Sequence, residues 1–426
     1  MMISQARLVN PAENTLFAVP AVVLSMLVFA YSVNFGAISI LAFYGCWALP
    51  FVIAPRILLA QPRPVMLLII MPFFFGLSTL WSDAAGATLR AAIQYTITFG
   101  AGLIAARIVS LGNLALGSMI GCMLVLIYSI MQGGYSYDYI DGDFAFRGAF
   151  SSKNQLGYFA TLTILFSLSL IWIFQSIRIV QLVALLSAGL GFAMLWMSDS
   201  ATSLLSAMAA FGAIALIGGV VLLPPRLRRA AVFIIVIGGL GTGLAGLLLG
   251  GFDAVLSAFG RDTSLTGRTY LWNQALEIGG QQPLFGLGYN AFWTHGRPEA
   301  EMLWQEFYIT ARTGFHFHNA LIETYVGVGL VGLTLVVGMC ILLFVLPLRA
   351  ALRPENTASL LLIFGLSVLF LVRSVAEVDF VTPHTVGTFL VSFILMRLLD
   401  RPQPVHRRAF PSVTEVRFVS QRSVVL

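Results

Sequence analysis

Residues 14–55 read NTLFAVPAVVLSMLVFAYSVNFGAISILAFYGCWALPFVIAP, 42 consecutive residues without a formal charge. One helical crossing of a bilayer takes about 20 apolar residues, so this run holds two. The turn residues near its middle are Ser32-Val33-Asn34-Phe35-Gly36, and a hairpin of two spans is expected there. No convincing cleavage site precedes Arg56, so the run is expected to remain as an anchor and not to be removed as a signal peptide.

Charge-free runs recur at residues 108–137, 200–225, 230–252 and 324–348. Over the whole chain 58% of residues are hydrophobic and 10% charged, against roughly 45–50% and about 25% in an ordinary soluble domain. The strands of a transmembrane barrel would alternate over segments of about ten residues; these runs are apolar on every face. The composition excludes a soluble fold and points to an all-α polytopic membrane protein. Cys46, Cys122 and Cys340 lie inside apolar runs, which reads as packing and argues against a disulfide framework.

Cutting the chain at charges and turn residues gives about twelve transmembrane helices, near residues 15–33, 36–53, 64–81, 88–109, 114–132, 155–174, 179–197, 201–223, 230–250, 320–347, 359–372 and 380–398. The positive-inside rule sets their orientation. With the N-terminus inside, Arg7, Arg56, Arg63, Arg107, Arg178, Arg226, Arg228, Arg229, Arg349, Arg353 and the six arginines from Arg397 onward are cytoplasmic, 16 of the 24 basic residues. Arg90, Arg147, Lys153, Arg261, Arg268, Arg297, Arg312 and Arg373 stay outside, together with 14 of the 18 acids. Both termini are then cytoplasmic, and residues 399–426 form a basic tail. The net charge of +6 is accounted for by anchoring to membrane lipids, and nothing in it points to nucleic acid.

On this reading residues 1–426 form a single transmembrane domain whose outer side carries two long loops, 133–154 and 253–317. Long loops in compact proteins are usually functional or disordered. The larger one is rich in aromatic residues, among them Trp272, Phe285, Tyr289, Phe292, Trp293 and Trp304. Leu271, Ala275 and Ile278 fall at helical spacing, with Gly279-Gly280 and Pro283 to end the helix. One or two amphipathic helices are expected to lie over the bundle.

Four groups of residues could carry chemistry. The first is Tyr135, Tyr137, Asp138, Tyr139, Asp141, Asp143, Phe144 and Phe146, followed by Arg147-Gly148-Ala149-Phe150-Ser151-Ser152-Lys153-Asn154-Gln155. Lys153 is the only lysine; the other 23 basic residues are arginine. An arginine fork beside a mobile ammonium suits a phosphate, while an interfacial aromatic belt would use the same residue types. The second group is Gly260-Arg261-Asp262 with Gly267-Arg268-Thr269-Tyr270-Leu271-Trp272. A cation at a helix N-terminus is unfavourable unless an anion lies between, so Arg268 and the free N–H groups of that turn could face one anion, with Arg261 as the alternative.

The third group is Phe315-His316-Phe317-His318-Asn319-Ala320-Leu321-Ile322-Glu323-Thr324-Tyr325, where the long loop re-enters the membrane. A helix starting near His318 would put His318, Ile322 and Tyr325 on one face and pair Asn319 with Glu323. A histidine there can serve as a general base near neutral pH, or simply be a satisfied interfacial side chain. His316 and His318 could share a metal, but no third ligand stands at a zinc-like spacing, and none is expected. The fourth group is Arg373-Ser374-Val375-Ala376-Glu377-Val378-Asp379, in which Arg373 and Glu377 are expected to pair with each other. His384, after Pro383, reads as a packing residue just inside the last span, and Asp199-Ser200-Ala201-Thr202-Ser203 as a helix cap.

In order along the chain, these pieces resemble the O-antigen ligase and polysaccharide polymerase family, with exopolysaccharide polymerases of the Wzy type nearest. The resemblance rests on Arg147 to Gly157, on Gly267-Arg268-Thr269-Tyr270-Leu271-Trp272, on Pro283-Leu284-Phe285-Gly286-Leu287-Gly288-Tyr289-Asn290-Ala291-Phe292-Trp293, and on His318-Asn319 with Glu323 and Gly327-Val328-Gly329. It covers roughly residues 133–333.

It implies a glycosyltransferase of the membrane-embedded, lipid-dependent (GT-C) class in a bacterial inner membrane, with loop 253–317 and the active site facing the periplasm. The donor would be a glycan on polyprenyl diphosphate, and the acceptor the next lipid-linked unit or a lipid A core. His318 would take the acceptor's proton as the anomeric centre inverts. Arg147, Arg268, Lys153 and Arg261 would hold the diphosphate, with Asn154, Asn319 and Glu323 in support. No metal or other cofactor is implied, and a flippase and a chain-length regulator of the same pathway would be partners. Polymerase is favoured over ligase on the Lys153-Asn154 phrase and the Gly-Leu-Gly-Tyr run. A lipid-linked glycan transporter would carry ionisable residues near the bilayer midplane and often paired repeats, and a passive scaffold would leave the outer basic residues without a purpose.

Overall fold

The charge-free run 14–55 forms α2 (Thr15–Ile53), after a short α1 (Gln5–Val9), and α2 doubles back on itself. Helical geometry fails at Tyr31 and at Gly36, where φ is 69°. Trp47 Nε1 donates to Ser25 Oγ at 3.0 Å, and the Phe29 and Phe43 rings stand 5.1 Å apart. At 1.5 Å per residue a straight helix would separate those pairs by about 33 and about 21 Å. The expected hairpin is present, with Gly36 at its turn.

The computed structural model describes residues 5–138, 143–248, 267–353 and 359–400. After α2 come α3 (Arg56–Leu59), α4 (Pro62–Leu77), α5 (Ala85–Ile108), α6 (Leu111–Gln132), the strands β1 (Tyr135–Asp138) and β2 (Asp143–Phe146), α7 (Lys153–Trp172), α8 (Arg178–Met197), α9 (Ala201–Leu222) and α10 (Pro225–Leu248). There follow α11 (Arg268–Gln281), α12 (Pro298–Glu306), α13 (Ala320–Ala351), α14 (Ser359–Arg373) and α15 (Val386–Leu399). Among the described residues eight helices are long and apolar enough to cross a membrane, and α14 and α15 are apolar but shorter. The twelve expected segments fall on the two arms of α2, on α4 to α10 and on α13 to α15. Arg261, the start of loop 253–317 and the tail beyond Asp400 lie outside the described residues.

The chain is an α-helical polytopic membrane protein, and among the described residues it departs from an all-α fold at one place. In the loop 133–154, β1 pairs antiparallel with β2, Tyr135 opposite Phe146 and Tyr137 opposite Phe144. The ring pairs are 5.2 and 5.0 Å apart. The period-two spacing of these aromatics is a strand signal that a reading in terms of helices passes over.

Helix α7 lies at the centre, against α6 and α8, and α5 packs on α15. Gly117 and Gly121, four apart, let the α6 backbone rest on Val22 and Met26 of α2, the small-residue contact that membrane helices use in place of a hydrophobic driving force. The described part of the long loop has a core of its own. Leu271, Ala275 and Ile278 of α11 are buried with Ala300, Leu303 and Trp304 of α12, and Leu287, Phe292, Phe317 and Val326 close the cluster. Leu271, Ala275 and Ile278 are the apolar positions that the helical spacing selected.

Helix α13 is broken at Val328 and Gly329, and the break shapes the site. A continuous helix would bond Leu330 N to Val326 O and Val331 N to Gly327 O. Here Leu330 N donates to Pro283 O at 2.8 Å and Val331 N to Leu284 O at 3.2 Å, while Val326 O and Gly327 O accept from Leu287 N at 3.0 Å and Gly288 N at 2.7 Å. Loop 283–288 thus replaces both halves of two lost helical bonds, and such pairing is what allows irregular backbone in a membrane protein. Tyr289 anchors the loop: its ring stacks on Phe75 at 4.3 Å and its hydroxyl donates to Val381 O at 2.8 Å.

The segment after α14 is also irregular. Helix α15 starts at Val386, not near residue 380, and His384 precedes its cap, Thr385. With φ at 54°, His384 stands outside the helix and bonds Tyr44 through Nε2 at 2.6 Å. The expectation that it lies inside the last span is corrected. Turn chemistry decides against it, because Pro383 starves the preceding turn of a donor and Thr385 caps the next by accepting from Thr388 N.

At Gly329 a Cβ would meet the backbone of Leu284 and Phe285, and φ is 64°. Positive φ costs an L-residue about 1–2 kcal/mol and overpacking about 1–3 kcal/mol. Gly329→Ala should therefore unfold well below the wild type in a thermal melt in detergent. Gly338→Ala, with nothing within 4 Å of its Cβ, should melt at or slightly above the wild-type temperature.

Candidate functional site

Four helices begin around one carboxylate. Ser152 caps α7 by accepting from Gln155 N, and Ser200 caps α9 by accepting from Ser203 N. Helix α11 opens on Arg268 after Gly267 at φ 78°. Asn319 caps α13 by accepting from Leu321 N and Ile322 N. The carboxylate is Glu377, 7% exposed. Its Oε1 accepts from Asn154 Nδ2 at 2.9 Å and lies 3.6 Å from Arg268 Nη2. Its Oε2 is 3.8 Å from His318 Nδ1 and 3.9 Å from His316 Nε2. The starts of the helices are tied together, since Ser200 Oγ donates to Asn154 Oδ1 at 2.8 Å and Arg268 Nη1 to Thr202 Oγ1 at 3.5 Å.

The loop with the two histidines is held from both sides. Phe317 N donates to Glu323 Oε2 at 2.8 Å, Trp293 Nε1 donates to Glu323 Oε1 at 3.1 Å, and Trp272 Nε1 donates to Phe317 O at 2.8 Å. The Phe317 ring is fully buried, 5.0 Å from Phe292 and 4.8 Å from Trp293. His318 follows at φ 52°, a left-handed conformation that costs a non-glycine residue of order 1 kcal/mol and tends to mark functional sites.

Burial pushes the Glu377 carboxyl up, but His318, His316 and Arg373 outweigh it, so the group is held well below the usual carboxylate range. His316 goes down to about 3, driven first by burial, then by His318 and Arg268 and against the pull of Glu377. Four helix N-termini, each worth about half a positive charge, add to the field that favours an anion here.

His316, His318 and Glu377 each offer a ligand atom within 4.8 Å of the others. The third metal ligand that sequence spacing did not find is therefore present, 59 residues after His318. Two features oppose a metal at these atoms. His316 Nδ1 accepts from His318 N at 3.1 Å, which assigns the neutral ring's proton to Nε2, the nitrogen facing Glu377. The Arg268 guanidinium also stands beside the same carboxylate.

Of the residues selected from sequence, the fold brings together His318, Arg268, Asn154 and Asn319, with Glu323 bracing the loop. Lys153 is the first residue of α7, next to Asn154. Arg147 follows the β-hairpin, its N–H donating to Gly134 O at 3.0 Å. Among the described residues its Nε is buried without a hydrogen-bond partner, and it makes no bond to the Glu377 cluster.

Three expectations are corrected. His318 is not on a face with Ile322 and Tyr325, because α13 starts at Ala320 and Asn319 is its cap. Asn319 and Glu323 do not pair by side chain; capping takes the first, and the loop N–H groups take the second. Arg373 pairs with Asp379 and lies over the Tyr158 ring at 4.0 Å, leaving Glu377 to the cluster. Glu377 is thus the residue that sequence reasoning missed.

A pH dependence follows. His316 is neutral in the folded protein down to about 3, whereas the unfolded chain protonates it near 6.5. Between those limits the unfolded state binds the extra proton, so this group's contribution to stability is lost as pH falls below 6.5. The melting temperature of His316→Asn should therefore rise relative to that of the wild type as pH drops from about 6.5 to about 4.5; a constant difference would count against a buried neutral His316.

A family model described as O-antigen ligase matches residues 186–337, a range that contains Arg268, both site histidines and the break in α13. Exopolysaccharide production protein ExoQ of Rhizobium meliloti (strain 1021) is 39% identical over 411 residues, 96% of this chain and 93% of that relative. The chain belongs to the O-antigen ligase and polysaccharide polymerase family.

Proposed function

We propose that the protein is a polymerase that joins oligosaccharide units carried on polyprenyl diphosphate, on the periplasmic face of a bacterial inner membrane, by inverting glycosyl transfer without a metal. The observation that carries this reading is the convergence on Glu377 of His318, Arg268 and the N-termini of four helices. It is an arrangement with a base at one side and an anion-binding field around it.

In the proposed reaction the acceptor hydroxyl attacks the anomeric carbon opposite the diphosphate, and His318 takes its proton on Nε2. The bond from carbon to phosphate oxygen breaks, and its electron pair leaves with the diphosphate. Glu377, at Nδ1, orients the imidazole and offsets the charge it acquires. The resting 3.8 Å separation is longer than a hydrogen bond, as catalytic contacts often are before substrate closes the site. Arg268 and the helix N-termini stabilise the leaving group, and Lys153, beside Asn154 at the start of α7, adds a second cation for the diphosphate; the diphosphate-binding roles proposed for Arg147 and Arg261 rest on the sequence motifs. The 39% identical exopolysaccharide production protein supports a chain-building role. Transfer to a lipid A core, the ligase alternative, would use the same site with a different acceptor.

Purified protein in nanodiscs, given polyprenyl-diphosphate oligosaccharide, should lengthen the glycan in the presence of a chelator and without ATP. Product that forms only when lipid A core is supplied would assign the protein as a ligase, and activity lost to chelation and restored by one metal would overturn the metal-free mechanism. His318→Ala should lower turnover at least 10³-fold while donor binding persists. Glu377→Gln should lower kcat about 10–100-fold with the Michaelis constant for donor little changed. Arg268→Ala should weaken both binding and turnover.

A further inference from the structure

His316 has no task in that reaction, yet its ring is built into the turn that carries the base. Its Nδ1 accepts the backbone N–H of His318, two residues on, at 3.1 Å. The same bond closes an Asx turn when asparagine or aspartate stands at the first position. The rings of His316 and His318 are 4.2 Å apart, and the His318 backbone is left-handed at φ 52°. Nothing in the local sequence otherwise favours that φ, which glycine or asparagine would adopt more readily. Without the side-chain acceptor the His318 N–H would lose its described partner, and the residue could relax to an ordinary φ, swinging Nδ1 away from Glu377.

We propose that His316 is a positioning residue: by accepting the His318 N–H it closes an Asx-like turn that holds the base in its left-handed conformation with Nδ1 toward Glu377. This rests on the glycosyl-transfer reading given above. The ring must stay neutral to accept, and the lowering of its pKa to about 3 is in keeping with that. The contact of Nε2 with Glu377, at 3.9 Å, is secondary to the turn.

Three substitutions separate the acceptor from packing. His316→Asn offers an oxygen where Nδ1 stands and lacks Nε2. His316→Gln carries the same amide one methylene too far to close the turn, and His316→Phe keeps a ring but no acceptor. In the polymerisation assay the Asn variant should retain kcat within about fivefold of wild type. The Gln and Phe variants should lose about 10–100-fold in kcat with little change in the donor's Michaelis constant, the pattern of a defect in the chemical step. Phe at or above the activity of Asn would show that the ring only packs and would overturn the proposal, as would an inactive Asn variant with a wild-type melting temperature.

Cryo-EM of the Asn and Gln variants in nanodiscs reads the turn without turnover. His318 should keep positive φ and face Glu377 in Asn and not in Gln, and identical turns would also overturn the proposal. A wild-type protein that lengthens no glycan would refute the proposed function, while the structural comparison would still decide the role of His316.

Discussion

A carboxylate 7% exposed in a chain with few charges is tolerable only if it is paired, since an unpaired buried charge costs several kcal/mol. Glu377 is satisfied by groups from three distant segments, namely Asn154 at the start of α7, Arg268 at the start of α11, and the two histidines before α13, while its own segment is placed by the end of α14. The bundle end can therefore close in one way. Asn154 is oriented by Ser200 of α9, and Asn319 donates to Val375 O at 3.1 Å while Ala320 N donates to Ser374 O at 2.8 Å. Caps, cluster and irregular segment form one hydrogen-bonded unit.

The second constraint is on the backbone. The break in α13 frees two donors and two acceptors, and loop 283–288 covers all four. This gives a physical reason for the glycines in two separated motifs. A side chain at Gly286 would press on the backbone of residues 327–329, and one at Gly288 on Ser82. The loop needs its glycines to approach the helix, and the helix needs Gly329 to accept the loop. Glu323, one turn earlier in α13, then fixes Trp293 and Phe317, so the cover over the bundle and the turn bearing His318 are set by the same helix.

Much of this was legible in the chain because its signals are local. Helix positions, the hairpin at Gly36, the start of α11 at Arg268 and its buried face of Leu271, Ala275 and Ile278 follow from charge, periodicity and turn residues within a short window. What was not legible depended on distance or on competition between local partners. Arg373 could choose Glu377 at i+4 or Asp379 at i+6, and helical spacing favours the first only if the helix continues. It ends at Arg373, which frees Glu377 for partners more than 50 residues away. His318 was misplaced for a related reason: Asn319 is the stronger cap, so the helix starts after it and the histidine moves into the turn. Arg261 lies outside the described residues.

Sharing Glu377 between Arg268 and His318 has a consequence for the proposed reaction. In the resting site Arg268 is partly neutralised by Glu377, which weakens its pull on a bound diphosphate. Once His318 has taken the acceptor's proton, an imidazolium stands at Oε2 and competes for the same carboxylate. The Arg268 charge is then less compensated at the moment when charge builds on the leaving oxygen. An interaction that strengthens on the way to the transition state accelerates the chemical step, whereas one equally strong with bound substrate does not. Three groups within 4 Å of one carboxylate would in this way couple activation of the nucleophile to departure of the diphosphate. Arg268 needs no independent anchor for this: its second nitrogen already rests on Thr202, so the guanidinium can turn toward phosphate without leaving the helix start that carries it.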